Sequence, residues 1–158
     1  MYGLQVTTPT DRQIVMTRAL DAPRDLVFRA FTEPKLISRW LLGPDGWSMP
    51  ICEVDLRVGG AFRYRWRNDE NGQEFGQSGT FNEIVRPDRI VHTEKFDEGD
   101  MPEATTTTTF VEHDGATMVT MTLLFDSRET RDAAIESGME SDVAASYDRL
   151  AGILAAGP

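Results

Sequence analysis

Residues 61–67 alternate between large aromatic and basic side chains, and this alternation constrains the fold more than any other feature of the chain. The alternating run is Phe62, Arg63, Tyr64, Arg65, Trp66 and Arg67. Since successive side chains of a β-strand point to opposite faces, the run predicts a half-buried strand with one aromatic face. Three large aromatic side chains exceed what a thin core needs and favour a sheet that curves around a cavity. An ordinary sandwich core with a basic, solvated face is the alternative.

Two glycines, Gly59 and Gly60, precede this strand. They remove two Cβ atoms at a point where the chain has to turn or bulge. The pair lies between strands and therefore does not indicate a phosphate-binding loop, which opens a helix.

Composition and charge limit the classes of partner. A chain of 158 residues favours one domain, and the formal net charge of −10 opposes binding to nucleic acid and to anionic membranes, so neither partner is expected. The single cysteine, Cys52, cannot form an internal disulfide and is interpreted as a small apolar residue rather than a nucleophile. Without a signal-peptide pattern or an apolar run of about 18 residues, the sequence predicts a cytoplasmic protein.

The order of elements predicts an α+β domain. Residues 1–11 are expected to be a flexible lead-in, and residues 12–158 a single domain. A first strand at 12–20 precedes two short helices, the first N-capped by Asp21 and the second containing Trp40. A meander of strands follows at 47–56, 61–67, 74–85, 90–97, 104–112 and 116–125.

The C-terminal segment predicts one long amphipathic helix. Asp126 and Glu129 have capping-box spacing, as Ser127 and Thr130 do in part, and Gly138 is a candidate kink. The apolar stripe consists of Ile135, Met139, Val143, Tyr147, Leu150 and Leu154. A long helix with one apolar stripe needs a concave sheet to pack against, and an antiparallel meander supplies one.

Several ordered motifs resemble those of the SRPBCC or START-like superfamily, whose members have the helix-grip fold. Within it, the chain is most similar to bacterial proteins that resemble the C-terminal domain of the activator of the heat-shock protein 90 ATPase. The matching segments are residues 22–23, 33–34 with Trp40, 55–62, 79–85, 89–94, 138–140 and 146–150. The resemblance covers residues 12–154 and depends on the ordered combination of these motifs.

The resemblance implies a deep cavity between the long helix and the sheet. Members of the superfamily bind or transform small apolar molecules, so the expected partner is a small apolar or amphipathic molecule, and no cofactor is expected. The family label suggests a stress response, but eukaryotic activators carry a separate docking domain for which this chain has no room. Contact with a chaperone is therefore not expected. The sequence does not decide whether the protein forms a homodimer.

Aromatic residues and methionines are the predicted lining of this cavity, whose volume should be on the order of 300–1,000 Å³. Each of them singly is better explained as core, whereas together they provide an adaptable apolar surface. The predicted ligand-binding residues are Trp40, Phe62, Tyr64, Trp66, Phe81, His92, Glu94, Phe96, Phe110, Met121, Met139 and Tyr147.

His92 and Glu94 are the only acid–base pair whose spacing in the sequence would place both side chains together. At positions i and i+2 of a strand they share a face with Ile90 and Phe96, which we expect to be the helix side. The pair could anchor the polar end of a ligand or act as acid and base; alternatively the face is solvated, or Glu94 pairs with an arginine. No residue is assigned as catalytic. His92 and His113 lie in different contexts and one cysteine cannot build a zinc cluster, so no metal site is predicted.

The function predicted from the sequence is binding of a small hydrophobic or amphipathic ligand between the sheet and the C-terminal helix. Two alternatives from other classes remain. One is a small-molecule enzyme of the cyclase or hydrolase kind that uses His92 and Glu94, and the other is a chaperone-interaction module.

Overall fold

The computed structural model describes residues 3–157 and contains eight strands and four helices. The strands are β1 (Gln5–Thr7), β2 (Gln13–Leu20), β3 (Trp47–Val54), β4 (Ala61–Asn68), β5 (Glu74–Val85), β6 (Arg89–Phe96), β7 (Ala104–His113) and β8 (Ala116–Leu124). The helices are α1 (Arg24–Thr32), α2 (Pro34–Trp40), α3 (Arg128–Glu136) and α4 (Met139–Ala156).

All eight strands form one antiparallel sheet in the order β1-β2-β8-β7-β6-β5-β4-β3. Strand β2 pairs with the last strand, β8, so α1 and α2 carry the chain across the sheet to its opposite edge at β3. Helix α4 packs on the concave face through Tyr147, Leu150 and Leu154, which belong to the main apolar core. This α+β arrangement of a curved sheet around a C-terminal helix is the helix-grip fold expected from the resemblance.

Strand β1 lies within the stretch that was expected to be a flexible lead-in. Its residues pair antiparallel with residues 15–17 of β2, and Val6 packs with the core cluster that contains Ile14 and Met16. With only one apolar residue in three, β1 is too short to show the alternation of a strand in the sequence. Residues 1 and 2 of the lead-in lie outside the described part of the chain.

The first helix begins later than the sequence predicted. Pro23, in an extended conformation, is the N-cap of α1, whereas Asp21 lies two residues upstream and caps no helix. The expectation for Asp21 was wrong because a residue before proline is driven away from helical geometry. Ala22 therefore stays outside the helix, which begins only after Pro23.

The C-terminal helix is two helices rather than one. Ser137 ends α3, and Gly138 follows with φ of +85°, a left-handed conformation that a continuous helix cannot contain. The apolar stripe that was predicted to be continuous is interrupted at this break. Tyr147, Leu150 and Leu154 are buried, whereas Ile135 on α3 is 40% exposed.

The cap of α3 is Ser127. Its Oγ accepts a hydrogen bond from the backbone N–H of Thr130 at 3.1 Å. The Asp126–Glu129 alternative does not form, because Ser127 is the residue in extended conformation directly before the helix.

The two glycines before β4 form a tight turn that contacts β5. Gly59 has φ of +84°, its N–H donates to the carbonyl of Phe81, and the N–H of Phe81 donates to the carbonyl of Gly60. Gly60 is buried, and a Cβ there would lie 2.1 Å from the carbonyl oxygen of Asp55. The turn therefore fixes where the aromatic strand begins relative to β5.

Replacing Gly60 with alanine should destabilise the protein by about 1–3 kcal/mol, because the added methyl group overlaps backbone rather than a movable side chain. Gly152→Ala is the matched control. That glycine is helical, and no atom lies within 4 Å of the position that the added methyl group would occupy, so alanine should stabilise by about 0.5–1 kcal/mol. Urea denaturation measures both changes, and equal midpoints for wild type and Gly60→Ala would contradict the turn geometry.

Candidate functional site

A cavity of about 590 Å³ lies between the concave face of the sheet and the helices α2, α3 and α4. Most of the aromatic residues of the chain line it, including all three tryptophans. Its volume falls within the range expected for a pocket that holds a small organic molecule. The aromatic face of β4 is turned into this space, as its alternation predicted.

The structure brings nearly all of the predicted lining residues to this cavity. Those that line it are Trp40, Phe62, Tyr64, Trp66, Phe81, His92, Glu94, Phe96, Met121, Met139 and Tyr147. They come from α2, from strands β4, β5, β6 and β8, and from α4. Side chains from distant parts of the sequence therefore converge on one space.

Phe110 is the exception and does not line the cavity. It is 1% exposed and packs edge-on against Phe28 and Phe31 of α1, with ring centroids 5.4 Å and 5.3 Å apart. Phe31 itself lines the cavity, so Phe110 forms the layer behind it. The inward phase predicted for Phe110 is correct, but the sequence does not show that α1 fills the space over this end of β7.

Sequence reasoning missed several lining residues, among them Phe31, Trp47, Phe75 and Gln77. Phe75 and Gln77 could have been found, since they share a strand face with Phe81, a predicted member of the lining. The side chain of Gln77 matters most because it adds an amide to the polar part of the cavity.

The exposed members of the lining mark where the cavity opens to solvent. They are contributed by the α2–β3 loop, the paired ends of β5 and β6, the 97–103 loop and the junction of α3 with α4. The exposed lining residues are Pro44, Phe75, Lys95, Phe96, Pro102, Ala133, Ser137 and Asp142. Phe75 and Phe96, 37% and 42% exposed, place aromatic surface at the opening.

The α2–β3 loop at this opening is fastened to α4 and to β4. Arg149 donates to the carbonyl of Gly43 at 3.0 Å, and the N–H of Gly43 donates to Oγ of Ser146 at 2.8 Å. On the other side, Nε1 of Trp66 donates to the carbonyl of Leu41 at 2.7 Å. Because its only polar atom is satisfied by the loop, Trp66 presents apolar surface to the cavity.

A cluster of four polar side chains interrupts the apolar lining on β5, β6 and β7. Nε2 of His92 lies 3.0 Å from Oε1 of Glu94, and Nε2 of Gln77 donates to Oε2 of Glu94 at 2.7 Å. The hydroxyl of Thr106 donates a short hydrogen bond to Oε1. His92 and Glu94 lie on the concave face, 19% and 17% exposed as side chains, as the phase of β6 predicted.

Glu94 is a carboxylate in this cluster. Burial opposes its charged form, but hydrogen bonds from His92, Thr106 and Gln77 together with the nearby imidazole outweigh burial and lower the pKa of Glu94. Since an ionised carboxylate only accepts hydrogen bonds, Nε2 of His92 must be the donor. In the neutral ring, Nδ1 of His92 then carries the lone pair, and the structure gives this nitrogen no partner among residues 3–157.

Burial determines the protonation states of two other polar groups near the cavity. Burial, with the negative charge of Glu94 adding to it, raises the pKa of Tyr64, so this phenol keeps its proton. Burial also raises the pKa of Cys52 to about 11, which leaves a protonated and weakly nucleophilic thiol. Cys52 does not line the cavity.

Neither a metal cluster nor a membrane-spanning helix occurs in the described part of the chain. Among residues 3–157, no group of three or more His, Cys, Asp or Glu side chains is arranged to hold a metal ion. Within the same range, none of the helices has the combined length and apolarity that crossing a bilayer requires.

Solved structures of several bacterial proteins have the same fold. A protein from Rhodobacter sphaeroides is 28% identical, with a TM-score of 0.92 over 98% of this chain and 99% of its own. Protein NE0264 from Nitrosomonas europaea is 27% identical, with a TM-score of 0.83 over 94% and 97%. Protein Ms6760 from Mycobacterium smegmatis, 20% identical with a TM-score of 0.87 over 98% of both chains, shares the fold. A search of curated proteins finds no match.

The fold and the cavity define a helix-grip protein of the SRPBCC class. Residues 21–155 match the model of the family described as Activator of Hsp90 ATPase homolog 1-like protein. The chain belongs to this family, which confirms the resemblance inferred from its ordered motifs.

Glu94→Gln should change how stability depends on pH. Because the pKa of Glu94 is lowered from its ordinary value of 4.5, the carboxylate contributes stability that is fully present above that value and lost as pH falls through the folded-state pKa. Urea denaturation between pH 7 and pH 3 should show wild type more stable than the variant at pH 7, with a difference that shrinks toward pH 3. A difference that grows on acidification would contradict this description of the cluster.

Proposed function

We propose that this protein binds a small apolar or amphipathic organic molecule in the cavity between the sheet and the C-terminal helices. The observation that carries the proposal is an aromatic-lined space of about 590 Å³ with one polar cluster in its wall. Protein interiors normally contain few voids larger than a water molecule. A space of this size with such a lining is what a binding site for an organic molecule requires.

The geometry of the cluster supports the same proposal. The four side chains, on three adjacent strands, hold one another by hydrogen bonds. A ligand that reaches them therefore meets groups whose orientation is set in advance, which reduces the entropy lost on binding. Apolar walls would provide affinity, and the cluster would orient the polar end of the ligand.

A larger side chain that projects into the cavity should weaken binding. Met121 points into the cavity from β8, and Met118 of the same strand lies on the convex face, 43% exposed. Met121→Trp should weaken binding of the neutral dye N-phenyl-1-naphthylamine by about tenfold or more, a loss of ~1.4 kcal/mol. Met118→Trp, which adds the same side chain outside the cavity, should bind as wild type does.

Fluorescence titration of the dye measures both affinities, and circular dichroism checks that each variant is folded. Equal weakening by the two variants would place the dye elsewhere. Unchanged affinity in folded Met121→Trp would contradict binding in the cavity.

One observation favours a second candidate, an enzyme. With Nε2 of His92 held as a donor to Glu94, its Nδ1 is a free base that a substrate in the cavity could reach. Binding and catalysis differ in what happens to the molecule. A ligand that is recovered unchanged after prolonged incubation supports binding alone, whereas slow conversion that stops in His92→Gln supports the enzyme.

A further inference from the structure

The open polar atoms of the cluster formed by Gln77, His92 and Glu94 are mainly hydrogen-bond acceptors. Oε1 of Glu94 already receives two hydrogen bonds and Oε2 receives one, which leaves acceptor capacity on Oε2. In the neutral ring of His92, donation from Nε2 to the carboxylate leaves Nδ1 as an acceptor. A group placed among these atoms must therefore supply N–H or O–H donors.

Gln77 and Tyr64 extend this pattern. Donation from Nε2 of Gln77 to Glu94 fixes the orientation of the amide, and its Oε1 has no partner among the described residues. The hydroxyl of Tyr64 likewise has no hydrogen-bond partner in residues 3–157, and it can accept as well as donate. The phenol and the second N–H of the Gln77 amide are the groups here with a proton to offer a ligand.

The charge inside the cavity is negative. Glu94 is the ionised group within it, and Asp142 adds a carboxyl group at the opening. Lys95 is the one lysine or arginine among the lining residues of the described chain, and it is exposed. A carboxylate that entered the cavity would face Glu94 without a buried cation to compensate.

Aromatic rings lie beside His92, the hydrogen-bond partner of Glu94. The ring of Phe62 lies 5.1 Å from that of His92 and 4.9 Å from that of Tyr64, and Phe81 lies 6.3 Å from His92. Trp66 continues the row, 5.9 Å from Tyr64. The faces of aromatic rings attract cations, and the attraction is strongest where water is excluded.

We propose that the molecule bound in this cavity is an apolar organic amine, whose protonated nitrogen is held by Glu94 and the aromatic rings beside His92. This inference rests on the proposed function and names the class of ligand. An ammonium group has three donors for the acceptors of Glu94, His92 and Gln77, and its apolar body fits the aromatic walls. A fatty acid of similar size lacks the donors and has a charge of the wrong sign.

Three probes with the same alkyl chain and different polar ends test the proposal at neutral pH. Decylamine, decanol and decanoate each compete with N-phenyl-1-naphthylamine for the wild-type protein. Decylamine should displace the dye at a concentration about tenfold or more below that of decanoate, as expected for one charge-assisted hydrogen bond. Decanol, which has a donor but no charge, should fall between them.

Glu94→Gln tests which residue makes the selection. This variant keeps the shape of the side chain and removes its charge, so the preference for decylamine over decanoate should disappear. Glu53→Gln is the matched control, because Glu53 is exposed on β3 and does not line the cavity. The control removes the same charge from the protein and should retain the full preference.

The outcomes separate this inference from the proposed function. A dye that does not bind wild-type protein would contradict the proposed function and this inference with it. A dye that binds but is displaced by decanoate as effectively as by decylamine overturns only the class of ligand. Equal loss of preference in Glu94→Gln and Glu53→Gln would assign the selection to net charge rather than to Glu94, and would also overturn the inference.

Discussion

The structure depends on the packing of the C-terminal helix against a sheet whose concave face is too large for one helix to cover. Tyr147, Leu150 and Leu154 of α4 join the core cluster that also contains residues of β2, α1 and β7. The aromatic side chains of β4 and β5 project from the other half of the sheet. Because the C-terminal helix is broken at Gly138, the space over that half is enclosed by α2, α3 and the first turns of α4 together, and a cavity remains.

The polar cluster depends on this packing, because its carboxylate faces the apolar space that the packing leaves. A carboxylate facing an apolar space is costly unless it is paired, and Glu94 is held by donors from three adjacent strands. The same bonds set the tautomer of His92 and the orientation of Gln77. The register of β5, β6 and β7 therefore determines the position, the charge and the acceptor character of the site together.

The fold and much of the cavity could be predicted from the sequence, because both depend on local periodicity and ordered motifs. The alternation of Phe62 with Arg63 placed the aromatic face of β4, and the phase of β6 placed His92 and Glu94. What escaped prediction depends on contacts between distant segments, such as the covering of Phe110 by α1. The break at Gly138 was anticipated only as a kink, since a glycine permits a left-handed conformation without requiring it.

Methionine methyl groups offer the most direct measurement of whether this cavity receives a ligand. Met121 and Met139 line it, Met118 is on the convex face, and Met16 is buried in the second core cluster. In a protein labelled with 13C at the methionine methyl groups, an NMR titration with N-phenyl-1-naphthylamine should shift the signals of Met121 and Met139 and leave that of Met118 in place; Met16, the cross-strand neighbour of Met121, does not serve as a control. Shifts confined to Met118, or none at all at saturating dye, would contradict a ligand-binding cavity between the sheet and the C-terminal helices.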